Sequence, residues 1–182
     1  MKFLLFILSF LILTSCFPVK IAPNIEGDKV MVAKKFKRKL PKKYSFIFED
    51  PKNANEFYQY VNTKFRQNDT DVGWNIPFIV NNKEYYFSFY EAERSTKTIN
   101  IAPMIIDAAL EENDVDIIDD SHYTSRVGKW YLILTVSDND FNDCLKTDYK
   151  NREDILKYLR KLKSEYLTTS DYNSLLFKKD QF

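Results

Sequence analysis

The chain has 182 residues and a mass of 21.7 kDa, the size of a single domain. Hydrophobic residues make up 45% and charged residues 29%, a balance that excludes wholesale disorder and permits a packed core. Three glycines leave no stretch for a glycine-rich phosphate loop, and one His with two Cys nearly excludes a clustered His/Cys metal site. The formal charge of +1 forbids no partner.

The first element is a leader. Met1-Lys2 is a short positive segment, and Phe3 to Leu13 is an apolar run interrupted only by Ser9. A hydrocarbon core of ~30 Å needs about 20 apolar residues, so the run is too short to span one and fits the hydrophobic region of a signal peptide. It ends in Leu13-Thr14-Ser15-Cys16. This stretch resembles the lipobox of bacterial lipoprotein precursors, in which an aliphatic residue and two small residues precede a lipid-modified cysteine. The resemblance covers the leader alone. It implies cleavage of residues 1–15, diacylglyceryl attachment to the Cys16 sulfur and usually acylation of the new amino terminus. Two or three acyl chains exceed the single chain that gives only marginal binding, so the mature protein is expected to stay on a membrane. In such precursors an Asp after the cysteine tends to retain the protein in the inner membrane, and an acidic run can send it to the cell surface. Phe17-Pro18-Val19-Lys20 has neither, which points to the outer membrane facing the periplasm. The Lys-, Asn-, Phe- and Tyr-rich, Gly-poor chain is similar in flavour to small Bacteroidetes lipoproteins.

Behind Cys16 the charge is uneven. Residues 16–43 hold nine basic side chains against two acidic ones, Glu26 and Asp28, so residues 44–182 carry the opposite excess. Residues 16–43 read as a lipidated basic tether, extended over 17–28, with Val30 and Val32 able to form a short edge strand. Lys34, Lys35, Lys37, Arg38, Lys39, Lys42 and Lys43 are the candidate contacts with anionic headgroups, at about 1 kcal/mol per basic residue close to a charged surface. Lys34 follows Cys16 by eighteen residues, a flexible reach of roughly 23 Å. The alternative is a solvated edge kept unpaired by charge. Nucleic acid is not an expected partner, because the expected compartment contains none.

Residues 44–182 read as one α+β domain. Tyr44–Phe48 is a strand, and Asp50-Pro51 reads as a helix N-cap and first turn. The helix runs to about Phe65, with Phe57, Val61 and Phe65 on one stripe. Residues 67–74 are loop, Ile76–Val80 is a strand, and Asn81-Asn82 is a hairpin turn. The strand Lys83–Glu93 puts Tyr85, Phe87 and Phe89 on one face and Tyr86, Ser88 and Tyr90 on the other. Thr98–Leu110 is expected as a strand bent at Pro103, with a helix from Pro103 as the alternative, and Glu111–Asp120 as an acidic connection. Trp130–Val136, apolar on both faces, reads as a central strand. Asp138–Asp143 turns the chain into an amphipathic helix, Arg152–Thr168, with Ile155, Leu156, Leu159, Leu162 and Tyr166 inward. The tail can pack through Leu175, Leu176 and Phe177. The predicted architecture is a four- or five-stranded, mostly antiparallel sheet with two helices on one face.

No catalytic residue, metal or cofactor is assigned. Cys144 reads as a small core hydrophobe, and pairing with His122 is the only route to a thiol nucleophile. No Ser sits in a Gly-x-Ser-x-Gly turn. Asp138, Asp140 and Asn142 copy the opening of a calcium loop, but Asp143 stands where Gly is needed and Tyr149 where a bidentate Glu is needed. Trp74, Tyr86 and Tyr90 can form a stacking platform or pack beneath a helix. The expected function is therefore a non-enzymatic binding or structural module acting on an envelope protein or polymer. The alternatives are a small envelope hydrolase and an accessory or immunity protein of an exported system.

Overall fold

The computed structural model of the protein describes residues 22–94 and 128–177. Five strands in this part of the chain form one sheet: β1 (Asp28–Val32), β2 (Tyr44–Asp50), β3 (Ile76–Val80), β4 (Lys83–Glu93) and β5 (Trp130–Ser137). Their spatial order is β1-β2-β5-β4-β3, and every pairing is antiparallel. The helices are α1 (Ala33–Phe36), α2 (Glu56–Phe65) and α3 (Arg152–Thr168), and a 3₁₀ turn spans Tyr172–Phe177. The fold is α+β, as the sequence predicts. No helix among the described residues is long and apolar enough to cross a membrane.

Alternation along the strands decides which side chains meet the helices. Phe46 and Phe48 of β2 lie beside Leu134 and Leu132 of β5, and Phe89 and Phe87 of β4 lie beside Leu134 and Val136. All of them are on one face. Against that face α2 buries Phe57, Tyr60 and Val61, and α3 buries Ile155, Leu156, Tyr158, Leu159, Leu162 and Tyr166. Phe57 is the hub, with ring centroids 4.8 Å from Phe89 and 4.9 Å from Tyr166, both edge to face. β5 is central, and its residues 131–136 are all buried.

The opposite face has a smaller core. Ile47, Tyr131, Ile133 and Ala92 are covered there by Ala22, Ile25, Ala33, Phe36 and Leu40. Residues 22–43 therefore belong to the folded body, not to a free tether ending at residue 43. β1 pairs along its whole length with β2, and residues 22–25 pack although they form no regular structure. The sequence hides this because a segment with seven basic residues between 34 and 43 buries only its few apolar ones.

Two local features differ from the sequence expectation. α2 begins at Glu56, one turn later than Asp50-Pro51 suggests, after Asn55 in the left-handed conformation (φ 67°). Asp50 instead extends the inward parity of Phe46 and Phe48, and its Oδ1 accepts the Lys52 amide (3.1 Å) and the Tyr166 hydroxyl (2.8 Å). In the tail, the three-residue period of a 3₁₀ turn places Tyr172 and Leu175 inward together, which leaves Leu176 exposed and Phe177 87% exposed. The hairpin turn at Asn81-Asn82 is as expected, with φ of 51° and 59° at the two positions, as a type I′ turn requires. The expected strand at Thr98–Leu110, the acidic connection, His122, the leader and Cys16 lie outside the described residues.

Candidate functional site

The basic loop is the β1–β2 connection, folded back over the second sheet face. Its backbone is closed by bonds from the Ala33 amide to the Lys43 carbonyl (2.9 Å) and from the Lys34 amide to the Pro41 carbonyl (3.0 Å). Two further bonds, Lys37 to Ala33 and Leu40 to Lys37, complete a turn of helix and its exit. Ala33, Phe36 and Leu40 point into the sheet, and the Phe36 ring meets Tyr131 edge to face at 5.1 Å. That inward apolar set forces the remaining side chains outward. Lys34, Lys35, Arg38, Lys39, Lys42 and Lys43 are all exposed. Lys37 differs from the expectation, because it is half-buried and its Nζ donates to the Glu93 carbonyl. Burial lowers its pKa, opposed by the charge of Glu93. Six of the seven expected contacts thus share one hydrogen-bonded loop without an acidic residue between 33 and 43.

The acidic turn after β5 is structural. Asp138 is buried, and its Oδ1 accepts the amides of Asp140 (3.1 Å) and Asn142 (3.0 Å). Its Oδ2 accepts the Tyr149 hydroxyl at 2.9 Å, and Lys83 Nζ stands 3.6 Å away. Burial works to raise this carboxyl's pKa, but the combined bonds from Asn142, Tyr149 and the two amides outweigh it and hold the carboxyl below the usual range. Asp143 is spent likewise on the amides of Tyr44 (2.7 Å) and Leu145 (3.2 Å). Among the described residues no three His, Cys, Asp or Glu side chains gather as a metal site. Cys144 is buried, and burial pushes its thiol up to about 11, which leaves almost no thiolate at neutral pH.

A polar cluster beneath the helices went unforeseen. Asp50 and Glu91 are both buried on the helix-covered face, close to Tyr166. Lys52 Nζ donates to the Thr169 carbonyl (2.5 Å) and the Tyr172 hydroxyl (3.1 Å) and sits 4.6 Å above the Tyr166 ring. The Tyr172 hydroxyl donates in turn to Glu56 at 2.6 Å. These bonds tie β2, α2, α3 and the 3₁₀ turn together, with lone pairs and donors largely consumed by one another. A readable signal existed: Asp50 and Glu91 fall on the same alternation as Phe46, Phe48, Phe87 and Phe89.

Trp74, Tyr86 and Tyr90 face away from the helices. Trp74 and Tyr90 meet edge to face at 5.5 Å, and Tyr90 also packs against the smaller core beside Ile133. Pro77 and Ile79 of β3 share that face by register with Tyr86 and Glu84. Both are exposed, Ile79 at 62%. A cleft of about 890 Å³ wraps the β3 edge between Ile79 and Tyr158. Its Lys64 is held by Glu165 at 2.7 Å, and its Glu84 accepts the Tyr86 hydroxyl at 2.6 Å.

Compared with known proteins, the chain matches no family model, no curated protein and no solved structure.

Proposed function

We propose that the protein is a lipid-anchored module of the cell envelope, held at a membrane by acyl chains on Cys16 and by its basic loop. Its role there is binding or structural, towards an envelope protein or polymer, and not enzymatic. The observation that carries the proposal is the loop 33–43, which offers six exposed cations and buries Ala33, Phe36 and Leu40 in the same small core as Ala22 and Ile25, from the segment that leads back to Cys16. Cys16 precedes Ala22 by six residues, so even full extension keeps it within ~20–22 Å of the packed chain. The burial of Cys144 and the mutual satisfaction of the Lys52 cluster support the non-enzymatic role. Phe17, and not an acidic residue, follows Cys16, which favours the outer membrane facing the periplasm.

Metabolic labelling with a fatty-acid analogue tests the anchor. It should tag the wild-type chain and leave Cys16→Ala unlabelled. Equal labelling of the two chains would overturn the proposal.

A further inference from the structure

We infer that the sheet face turned away from α2 and α3 is a membrane-docking face that seats on an anionic bilayer, a conclusion that rests on the lipid anchor just proposed. Three independent placements converge on this one face.

The chain leaves for Cys16 from it. Ala22 and Ile25 are buried against that side of the sheet, and Arg94 fixes the exit by donating to the Ala22 carbonyl and to Asn24 Oδ1, each at 3.2 Å. A short leash beginning here favours an approach with this face inward. The basic loop lies over the same face, with Lys34, Lys35, Arg38, Lys39, Lys42 and Lys43 exposed around the buried Phe36 and Leu40. Exposed cations of one sign complement anionic headgroups, and each adds attraction only within about a Debye length. The third placement extends the face beyond the loop. Through Tyr90 the small core continues to Trp74, then to Tyr86, Pro77 and the exposed Ile79. Trp and Tyr are the side chains that favour the headgroup level, with an apolar body and a polar tip.

A soluble anionic polymer would engage the cations but give the aromatic half no role. The charge is one-sided within the basic loop, whereas exposed Glu153 and Asp154 stand among the Lys and Arg residues of the outer side of α3; on the docking face itself Glu84 is exposed beside Ile79, away from the loop. The bilayer is the occupant that uses anchor, cations and aromatics together.

The test is site-resolved accessibility on vesicles of one part phosphatidylglycerol to three parts phosphatidylethanolamine. Single fluorophores are placed through Lys35→Cys and Ile79→Cys on the docking face and Lys157→Cys on α3, with Cys144 left buried. Each is read in the acylated mature chain and in its Cys16→Ser counterpart. Aqueous quencher should reach the Lys35 and Ile79 labels at least threefold less on vesicles than in solution, and the Lys157 label equally in both. At low salt the Cys16→Ser chain should show the same pattern, and about 0.5 M salt should release it. Acylated chain that stays anchored with all three labels equally accessible would overturn the docking face while leaving the anchor intact. Protection in the Cys16→Ser chain together with absent acylation of the native chain would overturn the anchor while upholding the face. Equal protection on neutral phosphatidylcholine vesicles would overturn the electrostatic part of the inference.

Discussion

The hydroxyl of Tyr166, on the last turn of α3, donates to Asp50 Oδ1 at the end of β2 across 2.8 Å of buried space. This bond joins a helix to a strand 116 residues away in sequence. Burial first, and the neighbouring Asp50 charge second, push the phenol pKa upward, so it remains a donor through the whole accessible pH range. Tyr166→Phe keeps the ring contacts with Phe57 and Tyr60 but removes a donor from a buried carboxylate. Hydrogen bonds to charged groups contribute about 1.5–3 kcal/mol, so the variant should lose about 2 kcal/mol of stability. A urea titration measures it, and an unchanged midpoint would show that the bond does not matter to the fold.

Burial of Cys144 gives a second expectation. In a Cys16→Ser chain it is the only thiol. Its pKa of about 11 and its place in the core should make it unreactive towards a thiol-specific reagent under native conditions at about pH 8. Denaturation should expose one reactive thiol per chain. Rapid modification of the native protein would contradict the packing at this position.

Most of the fold was legible because its signals are local and periodic. The alternation of Lys83–Glu93, the apolar run Trp130–Val136, the Asn81-Asn82 turn and the stripe from Ile155 to Tyr166 each identify an element and its inward side without reference to anything distant. What escaped depends on long-range company. Ala22, Ile25, Phe36 and Leu40 look like stray apolar residues in a basic tether, and only the bare second face of a folded sheet gives them a reason to be buried. Asp50 resembles a helix cap because nothing in its neighbourhood announces Tyr166. The candidate site was half visible in the same way. The cations could be counted, but their shared loop, and the inward turn of Lys37 to the Glu93 carbonyl, follow from that packing.

Phe141 offers a third test. It sits at φ 60° in the turn after β5 and is 80% exposed, so it gains little burial from a backbone conformation that disfavours its side chain. Phe141→Gly should relieve that conformation, with a net gain of about 0.5–1 kcal/mol after the entropy cost of a glycine in the unfolded chain. Thermal melting of the variant reads the change. A large loss of stability would mean that the ring makes a contact which its exposure hides.

The pH dependence of the same turn follows from Asp138. Burial works to raise its folded pKa, but bonds from Asn142, Tyr149 and the Asp140 and Asn142 amides overcome that and depress it. In the unfolded chain the carboxyl returns to about 3.9. A depressed folded pKa means that the unfolded state binds the proton more readily. The stabilisation is therefore complete above about pH 4 and is lost as the pH falls through the folded value. Asp138→Asn removes the charge and weakens the acceptor for Tyr149 and the two amides, so at pH 7 it should cost about 2 kcal/mol. For a chain of this size that corresponds to roughly 4–8 °C in melting temperature. The penalty should shrink as the pH falls below about 4 and through the folded value, because acid strips the wild type of the advantage the variant never had. Urea midpoints of both chains at about pH 7, 4 and 2.5 measure the closing gap. A gap that stays constant across that series would show that the Asp138 carboxylate does not owe its place to its charge.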